Sequence, residues 1–177
     1  MMVGVPGSGK SFFAEKFAET FGIPYIDSLV LEKNSKDDTA ASTLIGYMLA
    51  NLTKTGKSFI YEGNSDSRVR RTEFAAWART KGYTPLFIWV QTDVSTSLDR
   101  ALRAKSLTKD EFQSSVKSFS PPHPLEKATV ISGKHTYASQ AKVVLKRLSQ
   151  DSRPAASVAP SPRPGNTSTP QRTITIR

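Results

Sequence analysis

Eight residues near the start of the chain, Gly4-Val5-Pro6-Gly7-Ser8-Gly9-Lys10-Ser11, fit the pattern G-x-x-x-x-G-K-[ST] at every fixed position. No other stretch restricts the fold as tightly, because the pattern works as a loop between a strand and a helix. Its spacing has a chemical cause. A polyphosphate must be held by many donors with no bulky side chain in the way, and glycines let the backbone curl so that successive N–H groups point inward. The following helix adds the partial positive charge of its N-terminus. In such a loop Lys10 supplies a mobile ammonium for the β- and γ-phosphates and Ser11 a hydroxyl for magnesium, so the stretch reads as a site for ATP and Mg2+.

The context agrees. Phe13, Ala14, Phe17, Ala18 and Phe21 recur on one face of a predicted helix, with Glu15, Lys16 and Glu19 opposite and Gly22 as its stop. Only Met1-Met2-Val3 is left for the strand before the loop, where about 5 residues are usual. Either that strand is short or the recorded start lies downstream of the real one.

At 177 residues the chain can bury one core, and the expected organisation is a single domain over 1–150 followed by a tail over 151–177. No apolar run approaches the length of a membrane span, and the loop comes too early to leave room for a signal peptide, so a soluble cytoplasmic protein, a monomer with no membrane partner, is expected. The absence of cysteine excludes disulfides and thiolate metal sites, and the two histidines, His123 and His135, are expected at the surface. The net charge of +10 favours anionic ligands; the tail carries +3 of it, leaving +7 on the domain.

After Gly22, Ile23-Pro24-Tyr25-Ile26-Asp27 reads as a second strand that presents Asp27 at the carboxyl edge, where ligands of open α/β sheets bind. Residues 28–38 are polar and read as a loop. Ala40, Ala41, Leu44, Ile45, Met48, Leu49 and Leu52 predict a helix with a wide apolar face. Ser58-Phe59-Ile60-Tyr61 is a third strand that delivers Glu62-Gly63-Asn64 to the same edge as Asp27, and a basic loop with Arg68, Arg70 and Arg71 leads into a helix carrying Phe74, Trp77 and Ala78. Leu86-Phe87-Ile88-Trp89-Val90 reads as a strand covered on both faces. Thr92 or Asp93 can cap the next helix, with Val94, Leu98, Ala101 and Leu102 inward and Arg100 and Arg103 together on another side. Thr108-Lys109-Asp110-Glu111 is a capping box for a helix that Pro121-Pro122 ends. A fifth strand covers Ala128 to Ser132 and a last helix runs from about Thr136 through Leu148. The composition from Asp151 to about Thr169 predicts disorder, and Thr173-Ile174-Thr175-Ile176 alternates like a short strand.

The order of these pieces resembles the ATP-binding P-loop kinases grouped with zeta toxins and phage polynucleotide kinase. The stretches that carry the resemblance, beyond the loop, are Phe59-Ile60-Tyr61-Glu62-Gly63-Asn64 with Arg70-Arg71, Leu98-Asp99-Arg100-Ala101-Leu102-Arg103, and Phe119-Ser120-Pro121 with Glu126. The resemblance implies a three-layer α/β P-loop NTPase/kinase fold, a parallel sheet of strand order 2-3-1-4-5, a short helical lid, and transfer of the γ-phosphoryl group of ATP to a hydroxyl of an acceptor. It departs from the family in two places. Glu62 stands where the family has Asp to order magnesium, and Asp27 is followed by Ser28-Leu29 with no arginine, so phosphorylation of a nucleic-acid end is not specifically supported.

Each candidate has a functional and a structural reading. Asp27 is either the base toward the acceptor hydroxyl or the cap of a turn. Glu62 is either a water-mediated magnesium ligand or the partner of a nearby arginine. Arg100 and Arg103 are either lid residues that neutralise the transferring group or a solvated helix face. Arg70 and Arg71 either hold an anionic acceptor or lie in solvent. Gly133-Lys134-His135 falls where such kinases pass the adenine ring. The reading of the whole is a small kinase with a hydroxyl-bearing acceptor, a nucleotide, a sugar or a nucleic-acid end; a nucleotide-dependent switch or a degenerate ATP-binding protein is the alternative.

Overall fold

A computed structural model describes residues 1–151 of the chain. The disorder predicted over 151–169 and the strand-like 173–176 lie, apart from Asp151, outside the described residues. Among the described residues five parallel strands, β1 (Met2–Val3), β2 (Tyr25–Asp27), β3 (Ile60–Glu62), β4 (Ile88–Gln91) and β5 (Thr129–Ser132), alternate with seven α-helices. These are α1 (Lys10–Phe21), α2 (Ser28–Asn34), α3 (Asp38–Lys54), α4 (Arg68–Thr80), α5 (Val94–Arg103), α6 (Lys109–Ser118) and α7 (Tyr137–Asp151). The strands pair as β2-β3 and as β1-β4-β5. β3 lies beside β1 without a hydrogen-bonded ladder between them, so the spatial order is the 2-3-1-4-5 that the motifs imply.

Alternation along the strands divides the core into layers. Met2, Ile88, Val90 and Ile131 turn to one face and pack with Phe13, Ala14 and Phe17 of α1 and Ala141 and Val144 of α7. Val3 and Phe87 turn to the other face, where Ala75 of α4 meets them. Ile26 and Tyr61 pack with Ile45 and Leu49 of α3, and Tyr61 stacks on Phe74 at 4.9 Å between ring centroids. Every strand therefore ends at one carboxyl edge, with the loop after β1 at its centre. No helix among the described residues is long and apolar enough to cross a membrane.

The structure corrects four local expectations. Residues 28–34 are helix α2 rather than loop, because the Asp27 side chain accepts from the N–H groups of Leu29 and Val30 and so starts a helix directly off β2. Two turns with Leu29 and Val30 half exposed leave no apolar stripe to see. Arg68, Arg70 and Arg71 lie in the first turn of α4, capped by Ser67, rather than in a loop. On α5 the buried residues are Ser97 and Ala101, while Val94 and Leu102 face outward. The apolar faces of α1 and α3 are narrower than their spacing implied, since Phe21 and Leu44 are exposed. The capping box at Thr108 and Glu111 is present, and Gly22 closes α1 in the left-handed conformation.

Candidate active site

The loop between β1 and α1 is shaped by what crowds against it. Gly4 has φ 147°, and a β-carbon there would lie 2.7 Å from the Val90 carbonyl oxygen and 2.8 Å from Ser8 Oγ. Gly7 has φ 71° and lies so close to α5 that a β-carbon would strike the Ser97 carbonyl. Both positions thus require glycine for conformation and for space. Thr92 Oγ1 donates to the Ser8 carbonyl at 2.9 Å and braces the loop from the end of β4. Asp93, not Thr92, caps α5, by accepting from Thr96 N–H.

The Lys10 ammonium donates to the Val5 carbonyl at 3.1 Å and lies 3.8 Å from Glu62 Oε1. Burial lowers its pKa, and the nearby Glu62 and Asp27 charges oppose that shift. Ser11 Oγ donates to Glu62 Oε1 at 3.0 Å. The β2–β3 register sets Asp27 directly beside Glu62. Tyr25 lies between the two, its hydroxyl donating its one proton to Glu62 Oε2 at 2.8 Å with Asp27 Oδ2 3.2 Å from the same oxygen. Glu62 is 2 % exposed; burial raises its pKa, with the Asp27 charge adding to the rise and Lys10, Tyr25 and Ser11 opposing it. The Tyr25 phenol is pushed up as well, first by burial and then by Glu62.

These residues fit magnesium-bound ATP. Ser8 Oγ is fully buried inside the loop with no hydrogen-bond partner, and Lys10 supplies the charge. Ser11 and Glu62 offer adjacent hard oxygens, the donor type that magnesium takes.

The structure gathers Lys10, Ser11, Asp27 and Glu62 and brings Arg100 to the same loop. Arg100 Nη1 donates to the Gly133 carbonyl at 3.1 Å and passes over Gly9. Arg103 is exposed and makes no hydrogen bond or ion pair among the described residues. Lys134 forms an ion pair with Asp93, linking the loop after β5 to the start of α5. Arg71 does not face the site. It is fully buried and paired with Glu126, which corrects both readings of it, as an acceptor-holding residue and as one lying in solvent, while the half-exposed Arg70 donates to Asn64 and Asp66.

Sequence reasoning missed Tyr25, Thr92 and Ser97. Tyr25 had a usable signal, since residues two apart on a strand share a face and Asp27 was already a candidate. Thr92 and Ser97 had none, because their roles depend on how α5 packs on the loop. A cleft of about 450 Å³ opens on the Val5 side, lined by Trp89, Thr92, Val94, Phe119 and Lys134 among others. Asp27 and Glu62 do not line it, so it is distinct from the carboxylate cluster.

No family model and no curated protein matches the chain. Among solved structures it is similar to a gluconokinase from Sinorhizobium meliloti 1021, with TM-score 0.61 and 18 % identity over 85 % of this chain and 92 % of that one. It is similar to a sugar kinase from Janibacter sp. HTCC2649, with TM-score 0.61 and 17 % identity over 84 % and 92 %. A shikimate kinase from Acinetobacter baumannii in complex with shikimate gives TM-score 0.56 and 18 % identity over 86 % and 93 %. At such identities the likeness concerns architecture, and it establishes that this chain has the α/β fold of the small P-loop kinases.

Proposed function

We propose that the chain is a small ATP-dependent kinase that transfers the γ-phosphoryl group to a hydroxyl of a small acceptor. The observation that carries this reading is the meeting of Asp27 and Glu62 with Lys10 and Ser11 at one sheet edge, because a module that only binds nucleotide needs no second carboxylate there. ATP supplies the phosphoryl group, and magnesium, when bound, neutralises charge on it. Lys10 and the loop N–H groups hold the phosphates, and Ser11 and Glu62 would hold the magnesium. Asp27 takes the proton of the acceptor hydroxyl on Oδ2, which carries only the longer 3.2 Å contact to the Tyr25 hydroxyl, whereas Oδ1 is engaged by the N–H groups of both Leu29 and Val30. The acceptor oxygen then forms its bond to phosphorus as the bond to the leaving diphosphate breaks. Arg100, at the base of the loop, faces the charge that develops.

Gluconokinase, sugar kinase and shikimate kinase among the similar structures support a polyhydroxylated acceptor. The finer likeness to zeta toxins and polynucleotide kinase rests on the sequence stretches alone. The second reading, a nucleotide-dependent switch or a degenerate ATP-binding module, draws on Asp27, whose cap role is complete without catalysis. A screen with labelled ATP against sugar acids, sugars, nucleosides and 5′-hydroxyl oligonucleotides separates the two. Phosphorylated product from an acceptor supports the kinase; ATP hydrolysis or binding with no labelled product from any of them favours the switch.

A further inference from the structure

We infer that Tyr25 is a positioning residue whose hydroxyl holds one oxygen of Glu62 so that the other stays aimed at Ser11 and Lys10, and which ties that carboxylate to Asp27. The inference rests on the kinase reading of the site. A glutamate at the end of β3 reaches the loop through three side-chain torsions, and a single contact at its tip leaves part of that freedom. In this structure the tip is held from both sides. Ser11 Oγ meets Oε1 at 3.0 Å, and the Tyr25 hydroxyl meets Oε2 at 2.8 Å, on the oxygen that neither Ser11 nor Lys10 uses.

Tyr25 is well placed for this work. It stands two residues before Asp27 on β2, so both side chains leave the same face of the strand. The parallel register puts Asp27 opposite Glu62, and two neighbouring carboxylates with no donor between them would repel and splay. The phenol sits between them, 2.8 Å from one and 3.2 Å from the other, and its ring packs against the core cluster shared by α1 and the sheet. That packing makes the hydroxyl a fixed point, which a water in the same place would not be. The contact takes up the extra methylene of Glu62 relative to an aspartate.

The test is the magnesium requirement for binding a non-hydrolysable ATP analogue, measured by calorimetry on the full chain with no acceptor present. Tyr25→Phe keeps the ring and removes the hydroxyl. The magnesium concentration for half-maximal binding should rise roughly tenfold, the scale on which partners of metal ligands act, while analogue binding in EDTA stays unchanged. Glu62→Asp supplies the second arm, because its shorter side chain cannot reach Tyr25. Adding Tyr25→Phe to that variant should change the magnesium requirement by less than about twofold. An unaltered requirement in Tyr25→Phe, or the full tenfold rise repeated in the Glu62→Asp background, would overturn the inference and leave the kinase reading standing. A wild-type chain whose analogue binding does not depend on magnesium would overturn the metal role of Glu62 in that reading, and this inference with it.

Discussion

Arg71 and Glu126 meet as a buried two-pronged ion pair, Nε to Oε1 at 2.7 Å and Nη2 to Oε2 at 3.0 Å, although 55 residues separate them in the chain. Arg71 Nη1 also donates to the carbonyls of Ser65 and Ser120, and Glu126 Oε2 accepts from His123 N–H. One side chain of α4 therefore fastens the segment that follows α6 to the loop that follows Glu62. A fully buried charge such as Arg71 is stable only when its donors are satisfied, and Glu126 with the two carbonyls satisfies them.

Breaking that pair should be costly. Glu126→Gln leaves the Arg71 guanidinium buried without its counter-charge and should lower unfolding free energy by about 3–5 kcal/mol, read from urea denaturation at neutral pH. A loss within experimental error of zero would mean that solvent reaches Arg71 and that the fastening is weak.

The same pair should set a pH dependence. Burial alone would raise the Glu126 pKa, but the hydrogen bonds from Arg71 and His123 N–H outweigh it and the net shift is downward. A carboxyl with a depressed folded pKa contributes stability that is fully present above its unfolded value of about 4.3 and is lost as pH falls through the folded value. Denaturation midpoints of the unaltered chain and Glu126→Gln should therefore converge as pH is lowered below about 4. A gap that stays constant down to acid pH would assign the stability to packing instead.

Lys10→Ala should abolish tight binding of the magnesium-bound ATP analogue while the chain stays folded, with a melting temperature lowered because the buried Glu62 carboxylate loses its counter-charge. Lys10 reaches the Val5 carbonyl and Glu62 rather than the apolar clusters, so the core does not depend on it. Calorimetric affinity equal to that of the unaltered chain would refute the phosphate site.

Two substitutions of Asp27 separate its roles. Asn keeps a side-chain oxygen that can cap α2 and removes the base, so Asp27→Asn should lower turnover by about 10²-fold with stability little changed. Asp27→Ala removes both and should in addition cost about 1 kcal/mol of stability. Normal turnover in Asp27→Asn would leave the residue with its cap role alone.

The two arginines of α5 should differ. Arg100 already reaches across to the Gly133 carbonyl beside the loop, whereas Arg103 is exposed and unpaired among the described residues. Arg100→Ala should lower kcat by about 10²-fold with a smaller change in ATP affinity, and Arg103→Ala should lower it less. Equal losses, together with increased hydrogen-exchange protection over 98–119 when the analogue binds, would show that α5 moves far enough to bring both in.

The amino-acid sequence by itself determined the parts whose cause is local. The glycine spacing from Gly4 to Gly9, the Lys10-Ser11 pair, the Thr108–Glu111 capping box, the stop at Gly22 and the alternation of apolar runs that became β3 to β5 each depend on neighbours within a few residues, and each is present. Tertiary structure decided what depends on partners far along the chain. Arg70 and Arg71 are adjacent and identical in type, yet one is half exposed and the other is fully buried against Glu126, because the helix turns successive side chains about 100° apart and only one direction leads inward. Helix α2 was hidden although its Asp27 cap is local, because its two turns leave Leu29 and Val30 half exposed and show no apolar stripe. Tyr25 became part of the site because β3 brought Glu62 to it across the sheet, and no spacing along the chain encodes that pairing. Local order follows from backbone sterics and capping, whereas the carboxylate cluster exists only because β2 and β3 end side by side at one edge of the sheet.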